Sequence, residues 1–478
     1  MNNNELDLTQ GKIMKTLLKL AFPIMLSNFL MMFYNLTDAF WLGKLGAEAK
    51  NAVSVAGLTF PLVFFISSFG FGFVVAGTSL VSQYKGAQKY EKAREVVGQF
   101  VFILVLFCLI FITLSFLFID KILIFLNTPT EIIESARSYI SVILSGMVFM
   151  FIFLTYQSFS HGLGDTVSPM KIQFFSVGLN VILDPIMIFG LGFLPKMGIQ
   201  GAAYATVISR FLAAVLAFSF FFKKLPHILP RFKNLLPNPQ MIRRILQISV
   251  PSSLAQSITS FGFLILQSFV NSYGTVVIST FSIGNRMTGI FMMPAMGISN
   301  ALAAVIGQNL GAKQINRAEK SVAVAMRLVL AIMFLGCTFV FLFGSQLTRF
   351  FIDEPQVIEL GHRMFRITAV ATLFFSVGFI FMGVFNGSGH TKSAMVFNVS
   401  RLWLFRIPFV FLLSGKLIDL TIFQNKIWQN LLNLLASPLA SYPYDALWWS
   451  MIFSNFLAGI WAFVLYRKGG WKAGRIHN

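Results

Sequence analysis

Two acidic side chains fall inside long apolar stretches of this sequence. Asp38 closes the segment 34–38, and Asp184 lies past the middle of the apolar stretch 169–193. A carboxylate near the centre of a lipid bilayer costs at least about 2.5 kcal/mol, so its presence there needs a reason. The chemistry open to such a group is the binding and release of a cation or a proton.

The residues around Asp184 favour this chemistry. Asn180 precedes Asp184 by four positions, which places both side chains on one face of a helix. Pro185 has no backbone N–H, so a carbonyl oxygen one turn earlier loses its usual partner and the helix is expected to kink. An amide, a carboxylate and a free carbonyl within one turn indicate a cation or proton site.

Asp38 has a similar neighbourhood, because Tyr34 and Asn35 precede it by about one helical turn. If the two helices are neighbours, we expect Asp38 and Asp184 to share a cavity. Two alternatives stay open. In the first, Asp38 is an interfacial acid among the outer lipid headgroups. In the second, Asp184 is purely structural, with a hydrogen bond or an ion pair to Arg210.

The composition indicates which elements must position these residues. The chain has 478 residues, 56% hydrophobic and 11% charged, and its mean hydropathy is +0.76. Soluble domains carry about 25% charged residues. Runs such as 100–119 and 138–160 contain no charge, and as helices they are long enough to cross a hydrocarbon core of about 30 Å. The sequence therefore predicts an all-α polytopic membrane protein with twelve transmembrane helices. The predicted spans are 15–43, 53–80, 98–119, 137–160, 169–193, 200–222, 244–272, 276–307, 321–345, 363–386, 394–414 and 444–466.

An internal repeat divides these spans into two sets of six. The segment 82–87 matches 307–312, and 162–166 matches 387–391, both at a spacing of 225 residues. Because six is even, the two bundles insert with the same orientation and are related by a pseudo-two-fold axis along the membrane normal. We assign residues 1–12 to a cytoplasmic N-terminal tail, 13–224 to an N-terminal six-helix lobe, 225–242 to a cytoplasmic linker, 243–467 to a C-terminal six-helix lobe and 468–478 to a cytoplasmic tail.

The distribution of basic residues predicts the orientation. With both termini in the cytoplasm, about 23 basic residues lie inside and about nine in the opposite loops, as the positive-inside rule requires. Basic loops that face anionic lipid headgroups explain most of the net charge of +20, so nucleic acid is not the expected partner. Five arginines fall inside predicted spans and are expected to snorkel or to be structural: Arg210, Arg286, Arg366, Arg401 and Arg406.

The sequence gives no sign of enzymatic chemistry. It contains no nucleophile–base constellation and no metal-ligand spacing, and Cys108 and Cys337 lie in apolar runs as small buried hydrophobes. We therefore predict a protein that is not an enzyme and has no cofactor besides a coupling ion. The rival from another class, a membrane-embedded enzyme acting on lipids, would need a catalytic group that the sequence does not show.

Several segments resemble the multidrug and toxic compound extrusion (MATE) family, and the resemblance covers nearly the whole chain. They are 34–38, 178–185, 201–206, 293–298 and 307–312. The acids of the N-terminal half are similar to those of the prokaryotic DinF-like branch. The resemblance implies that Asp38, Asn180, Asp184 and Thr206 form a site for H⁺ or Na⁺, with Tyr139 nearby.

The sequence departs from the family pattern in three places. Another branch carries acids in the seventh and tenth spans, whereas this chain has Gln256 and Gln267 in the seventh and no acid within the tenth. This departure indicates that coupling resides in the first half alone. His161 stands where an arginine is expected, and a long segment, 416–442, precedes the last span; neither has an assigned role.

Both lines of argument predict an antiporter, driven by H⁺ or Na⁺, that exports amphipathic and often cationic organic compounds by alternating access. Its substrate cavity is expected to be lined or supported by Tyr34, Asn35, Tyr139 and Gln157. We expect a monomer among the lipids of a bacterial or archaeal cytoplasmic membrane. The alternative is a flippase of the same superfamily for lipids or lipid-linked oligosaccharides, which a cationic lumen between the halves would favour.

Overall fold

The computed structural model describes residues 5–126, 128–192, 194–414 and 443–476, so the segment 416–442 lies outside the described residues. The described chain is almost entirely helical and contains twelve helices long and apolar enough to cross a membrane. This confirms the predicted all-α fold with two six-helix bundles. The helices are α1 Ile13–Gly43, α2 Ala49–Gly86, α3 Tyr90–Phe125, α4 Ile133–Gly162, α5 Val167–Phe189, α6 Ile199–Lys224, α7 Pro239–Asn271, α8 Thr275–Gly311, α9 Ile315–Phe351, α10 Pro355–Gly387, α11 Thr391–Leu413 and α12 Ala446–Arg467.

Several helices are longer than the spans predicted for them. Helix α2 begins before and ends after the predicted span 53–80, and α3 extends well beyond 98–119 at both ends. Hydropathy detects only the part of a helix that lies in hydrocarbon, whereas polar residues with good helix propensity continue the same helix into the headgroup region. The lengths of these helices were therefore underestimated, while the number and order of the helices were predicted correctly.

Helix α11 contains a π-helical turn over Ser400–Arg406. Its i→i+5 hydrogen bonding brings residues five apart onto one face, so Arg401 and Arg406 both point into the C-terminal half. They are 4% and 3% exposed, and the Arg401 guanidinium lies 4.1 Å from the centre of the Phe375 ring. Arg401 also donates a 3.4 Å hydrogen bond to Asn455 on α12. These two arginines pack inside the bundle and do not snorkel to the interface.

The two halves meet along a pseudo-symmetric seam. Helix α1 packs on α8, its counterpart α7 packs on α2, and α2 and α8 also contact each other. Within the first half, α1 packs against α5, and α5 packs against α6. The arrangement brings the residues of α1, α5 and α6 together on the inner side of the first six-helix bundle.

The described ends of the chain, residues 5–11 and 470–476, lie at one end of the molecule, which we call the terminal face. Residues 5–11 were predicted as part of a polar tail, yet Leu8 has no exposed surface. At the other terminus, Trp471 is 2% exposed and packs in the same apolar core as Leu8. The described parts of both tails therefore belong to the packed structure of the terminal face.

Candidate functional site

The structure brings Asp38 and Asp184 together. Helices α1 and α5 pack side by side, and the two carboxyl groups are close enough to interact directly. Asp184 has no exposed surface, and the Oδ1 oxygen of Asp38 is inaccessible to solvent. The contact means that the two acids form one site, as expected if their helices are neighbours.

Two hydrogen bonds frame this pair of acids. The Asn180 side-chain amide donates a 3.1 Å bond to Asp184 Oδ1 along α5, which the four-residue spacing predicts. The Tyr34 hydroxyl donates a 2.8 Å bond to Thr206 Oγ1, which joins α1 to α6. Both Asn180 and Thr206 are buried. Three helices thus contribute oxygen-bearing side chains to one small region.

Three buried oxygen atoms of this region have no hydrogen-bond partner among the described residues: Asp38 Oδ1, Asn180 Oδ1 and Asp184 Oδ2. A buried polar atom without a partner costs roughly 1–3 kcal/mol, and more if it belongs to a charged group. Oxygen atoms of carboxylates, amides and hydroxyls are the ligands that hard cations take in proteins. The donor set therefore fits either a proton shared with a carboxylate or a Na⁺ ion held by Asp38, Asn180, Asp184 and Thr206.

One basic side chain accompanies the two acids. Arg210 follows Thr206 by one turn of α6, and its charge acts on Asp38, Tyr34 and Tyr139. The alternative ion pair between Arg210 and Asp184 is not formed in the described structure, where Nη1 of Arg210 has no hydrogen-bond partner. The sequence analysis expected Arg210 to snorkel or to be structural, with an ion pair to Asp184 as one alternative. The structure instead brings its charge to bear on Asp38.

Tyr139 lies with the acids, as the resemblance implies. On α4 it is close enough to Asp38, Asp184 and Arg210 for their charges to act on its hydroxyl. The site is therefore enclosed by α1, α4, α5 and α6. All four helices belong to the first half.

Two of the expected cavity residues are not brought to this cluster. Asn35 follows Tyr34 on α1 but is exposed, because consecutive residues of a helix face different directions. Gln157 lies on α4, 18 positions after Tyr139, which amounts to about 27 Å along the helix axis. It is therefore near the terminal face and cannot support the acids directly. His161, one turn further along α4, is 8% exposed and lies still farther from the acids.

Comparison with known proteins places this chain in a family. The sequence model of the MatE family matches residues 23–186 and 251–412, one stretch in each half. "Probable multidrug resistance protein YpnP" of Bacillus subtilis (strain 168) is 29% identical over 414 residues, 86% of this chain and 91% of that protein. "Multidrug export protein MepA" of Staphylococcus haemolyticus is 25% identical over 407 residues, 85% of this chain and 88% of that protein.

Solved structures share the fold. A structure described as the outward-facing conformation of a multidrug resistance MATE family transporter superimposes with a TM-score of 0.85 at 23% identity, over 98% of both chains. A MATE structure in complex with MaL6 gives a TM-score of 0.84 at 23% identity, over 97% of both chains. Because the family model covers more than half of the sequence, the chain belongs to the MatE family, that of the multidrug and toxic compound extrusion transporters.

Proposed function

We propose that this chain is an antiporter that exchanges external H⁺ or Na⁺ for small organic compounds, many of them cationic, and so exports them. The observation that carries the proposal is the shared site of Asp38 and Asp184. The two acids come from different helices, Asp184 is fully buried, and Asp38 Oδ1 and Asp184 Oδ2 are buried without a hydrogen-bond partner among the described residues. An intramembrane acid pair of this kind is a site for ion coupling by default.

The charges of the site suit one monovalent ion. When both carboxylates are ionised, the Arg210 guanidinium offsets one negative charge and leaves one uncompensated. A buried charge without a partner is costly, so the site gains stability when it takes up one proton or one Na⁺. Inward movement of that charge through the membrane potential yields about 2.3 kcal/mol per 100 mV. This free energy is available to drive export of a compound in the opposite direction.

The positions of the acids support uptake from outside the cell. Asp38 lies toward the end of α1 that is distant from the terminal face, and Asp184 lies similarly on α5. We propose that the terminal face is cytoplasmic, because the positive-inside rule places the basic loops there. Ions from outside the cell then have a shorter distance to travel to the acids than ions from the cytoplasm. Because one chain contains both six-helix bundles, we propose that a monomer is sufficient for transport.

The relatives support small organic substrates. Their names describe multidrug resistance or multidrug export, and a solved MATE structure holds a compound named MaL6. These names do not favour the alternative of a lipid flippase. We extend the substrate class to this chain as a proposal, together with a location in a bacterial or archaeal cytoplasmic membrane.

Transport by purified protein in vesicles tests the proposal. Vesicles containing the protein receive a fluorescent organic cation, and a pH gradient and a Na⁺ gradient are imposed separately. We expect one of the two gradients to drive the organic cation across the membrane in the direction opposite to the flow of the ion. Dissipation of that gradient with an ionophore should stop the movement within the same experiment. Equal dye movement with and without both gradients would show that transport is not coupled to these ions.

A further inference from the structure

A pair of glutamines joins the two halves at the terminal face. Gln83 lies in the last turn of α2 and Gln308 in the last turn of α8, and they are related by the repeat spacing of 225 residues. The side-chain amide of Gln83 donates a 3.0 Å hydrogen bond to the carbonyl oxygen of Gly387 in the second half. The amide of Gln308 donates a 2.9 Å bond to the carbonyl oxygen of Gly162 in the first half. The two glycines are related by the same spacing, so the two bonds are symmetric counterparts.

The carbonyl oxygen of each glutamine binds one chain terminus. Gln308 Oε1 accepts a 3.2 Å hydrogen bond from the backbone N–H of Leu8. Gln83 Oε1 accepts a 2.8 Å bond from the backbone N–H of Arg475. Gln83 is 0% exposed and Gln308 is 1% exposed. Each buried side-chain amide therefore makes one hydrogen bond across the seam between the halves and one to a terminal segment.

The N-terminal segment 5–11, which we call the N-terminal strap, contacts both halves. In the first half, the Glu5 carboxylate pairs with Lys85 at 3.1 Å, and both side chains are less than 10% exposed. In the second half, Leu8 lies in the apolar core, and its carbonyl oxygen accepts a 3.1 Å bond from Asn309. Arg317 of the second half also donates to the carbonyl oxygens of residues 10 and 11. The strap thus crosses the seam.

The C-terminal segment 470–476, the C-terminal strap, crosses the same seam from the other side. Trp471 packs in the core of the second half, and Arg475 Nε donates a 3.2 Å bond to the carbonyl oxygen of Gly389. In the first half, Ile476 packs in the apolar core that contains Leu80 and Tyr84. Both termini therefore tie the halves together at equivalent places.

The helices beneath the straps are in backbone contact. A Cβ atom added at Gly86 would collide with the carbonyl oxygen of Gln308, and one added at Gly311 would collide with that of Gln83. Such a contact leaves no room for water between α2 and α8. Opening at this end must separate these surfaces and expose the two glutamines.

We propose that Gln83, Gln308 and the two straps form a lock that holds the terminal face closed and must release in every transport cycle. The inference rests on the proposed alternating access, because only then does this end have to open. One such hydrogen bond changes an equilibrium constant only a few-fold, so several must act together to bias the equilibrium between the two states. Loss of the lock is expected to favour the state that is open at the terminal face.

Thiol accessibility tests this lock without relying on transport. The parent protein carries Cys108→Ala, Cys337→Ala and Ala304→Cys. Position 304 lies on α8 one turn before Gln308, toward the middle of the helix, and is 1% exposed. The purified parent is treated with a polar maleimide in detergent, and its rate of labelling is measured. Gln83→Ala/Gln308→Ala, and separately deletion of residues 2–9, are then compared with the parent.

We expect labelling at position 304 to rise at least five-fold in both variants, and by less in each single glutamine variant. Gln240→Ala is the matched control, because this glutamine is exposed at the start of α7 and takes no part in the lock. If the double variant does not fold, the two single variants decide the question. Labelling at the parent rate in the folded variants, or an equal rise in Gln240→Ala, would overturn the lock. Faster labelling in a protein that exports nothing would retain the lock and reject the proposed function.

Discussion

The hydroxyl group of Tyr34 donates a hydrogen bond to Thr206 Oγ1 at 2.8 Å, which links α1 to α6 beside the two acids. The residues are 172 positions apart in the chain. The bond holds the Thr206 hydroxyl next to a cluster of carboxylate and amide oxygens. A rigid arrangement of ligands raises the affinity of an ion site because less conformational entropy is lost when the ion binds.

Replacing Tyr34 by Phe removes this hydrogen bond and little else. The net value of one such bond is about 0.5–1.5 kcal/mol, which corresponds to a two- to ten-fold change in an equilibrium constant. We expect the ion concentration needed for half-maximal dye export to rise by that factor. Tyr204→Phe is the control, since that tyrosine lies on α6 but is 41% exposed. An unchanged ion requirement in Tyr34→Phe would exclude a role for the bond.

Asp184→Asn should abolish coupled export and leave the protein folded. The substitution keeps the size of the side chain but removes the charge that gives the site its affinity for a cation. Export is measured together with protein abundance and melting temperature. Asp353→Asn is the control, because its carboxylate is exposed at the end of α9. Normal export by Asp184→Asn at normal abundance would show that this acid is structural.

Arg210→Met should strengthen ion binding and slow turnover. Without the guanidinium, the two carboxylates lose the one positive charge near them, and a bound proton or Na⁺ must replace it. We therefore expect a lower ion concentration for half-saturation and slower release. Arg286→Met provides the comparison, since Arg286 is an exposed arginine of α8. Weaker ion binding in Arg210→Met would contradict the assigned charge balance.

The buried carboxylate of Asp445 depends on Arg363 for stability. Their side chains form a 2.5 Å ion pair in which Asp445 is fully buried and Arg363 is 40% exposed. Loss of a partner from a buried pair costs about 3–5 kcal/mol, and partial exposure of Arg363 reduces this to about 2 kcal/mol. We expect Arg363→Met to lower the melting temperature clearly. Arg349→Met, which breaks an exposed pair with Asp353, should change it little. Equal melting temperatures for the two variants would contradict this account.

The sequence was sufficient to predict the helices and much of the site. Uncharged runs must form helices in a bilayer, because no water is present there to satisfy the backbone. The spacing of Asn180 and Asp184 predicts their hydrogen bond, since i and i+4 residues share a face. These inferences succeed because each depends on one helix and its surroundings.

Relationships between helices were harder to predict. The proximity of Arg210 to Asp38 depends on how α6 rotates against α1, which no local pattern fixes. Whether Gln157 lines the substrate path, as expected, likewise depends on how the two halves pack, and its place there stays a prediction. The burial of Leu8 was missed because a short, mostly polar segment with two leucines resembles a free tail. Its hydrogen-bond partners Gln308 and Asn309 lie on α8, about 300 positions later in the chain, so no local pattern connects them to Leu8.

The central claim is that an ion at Asp38 and Asp184 and an organic compound at the transport path influence each other's binding. Reciprocal binding to purified protein tests this claim most directly. Affinity for a fluorescent organic cation is measured against pH and against Na⁺ concentration, and ion affinity is measured with and without the compound. Wild type should show the same coupling factor in both directions, and Asp38→Asn and Asp184→Asn should show none. A wild-type affinity that does not depend on either ion, or full coupling in both variants, would contradict the account.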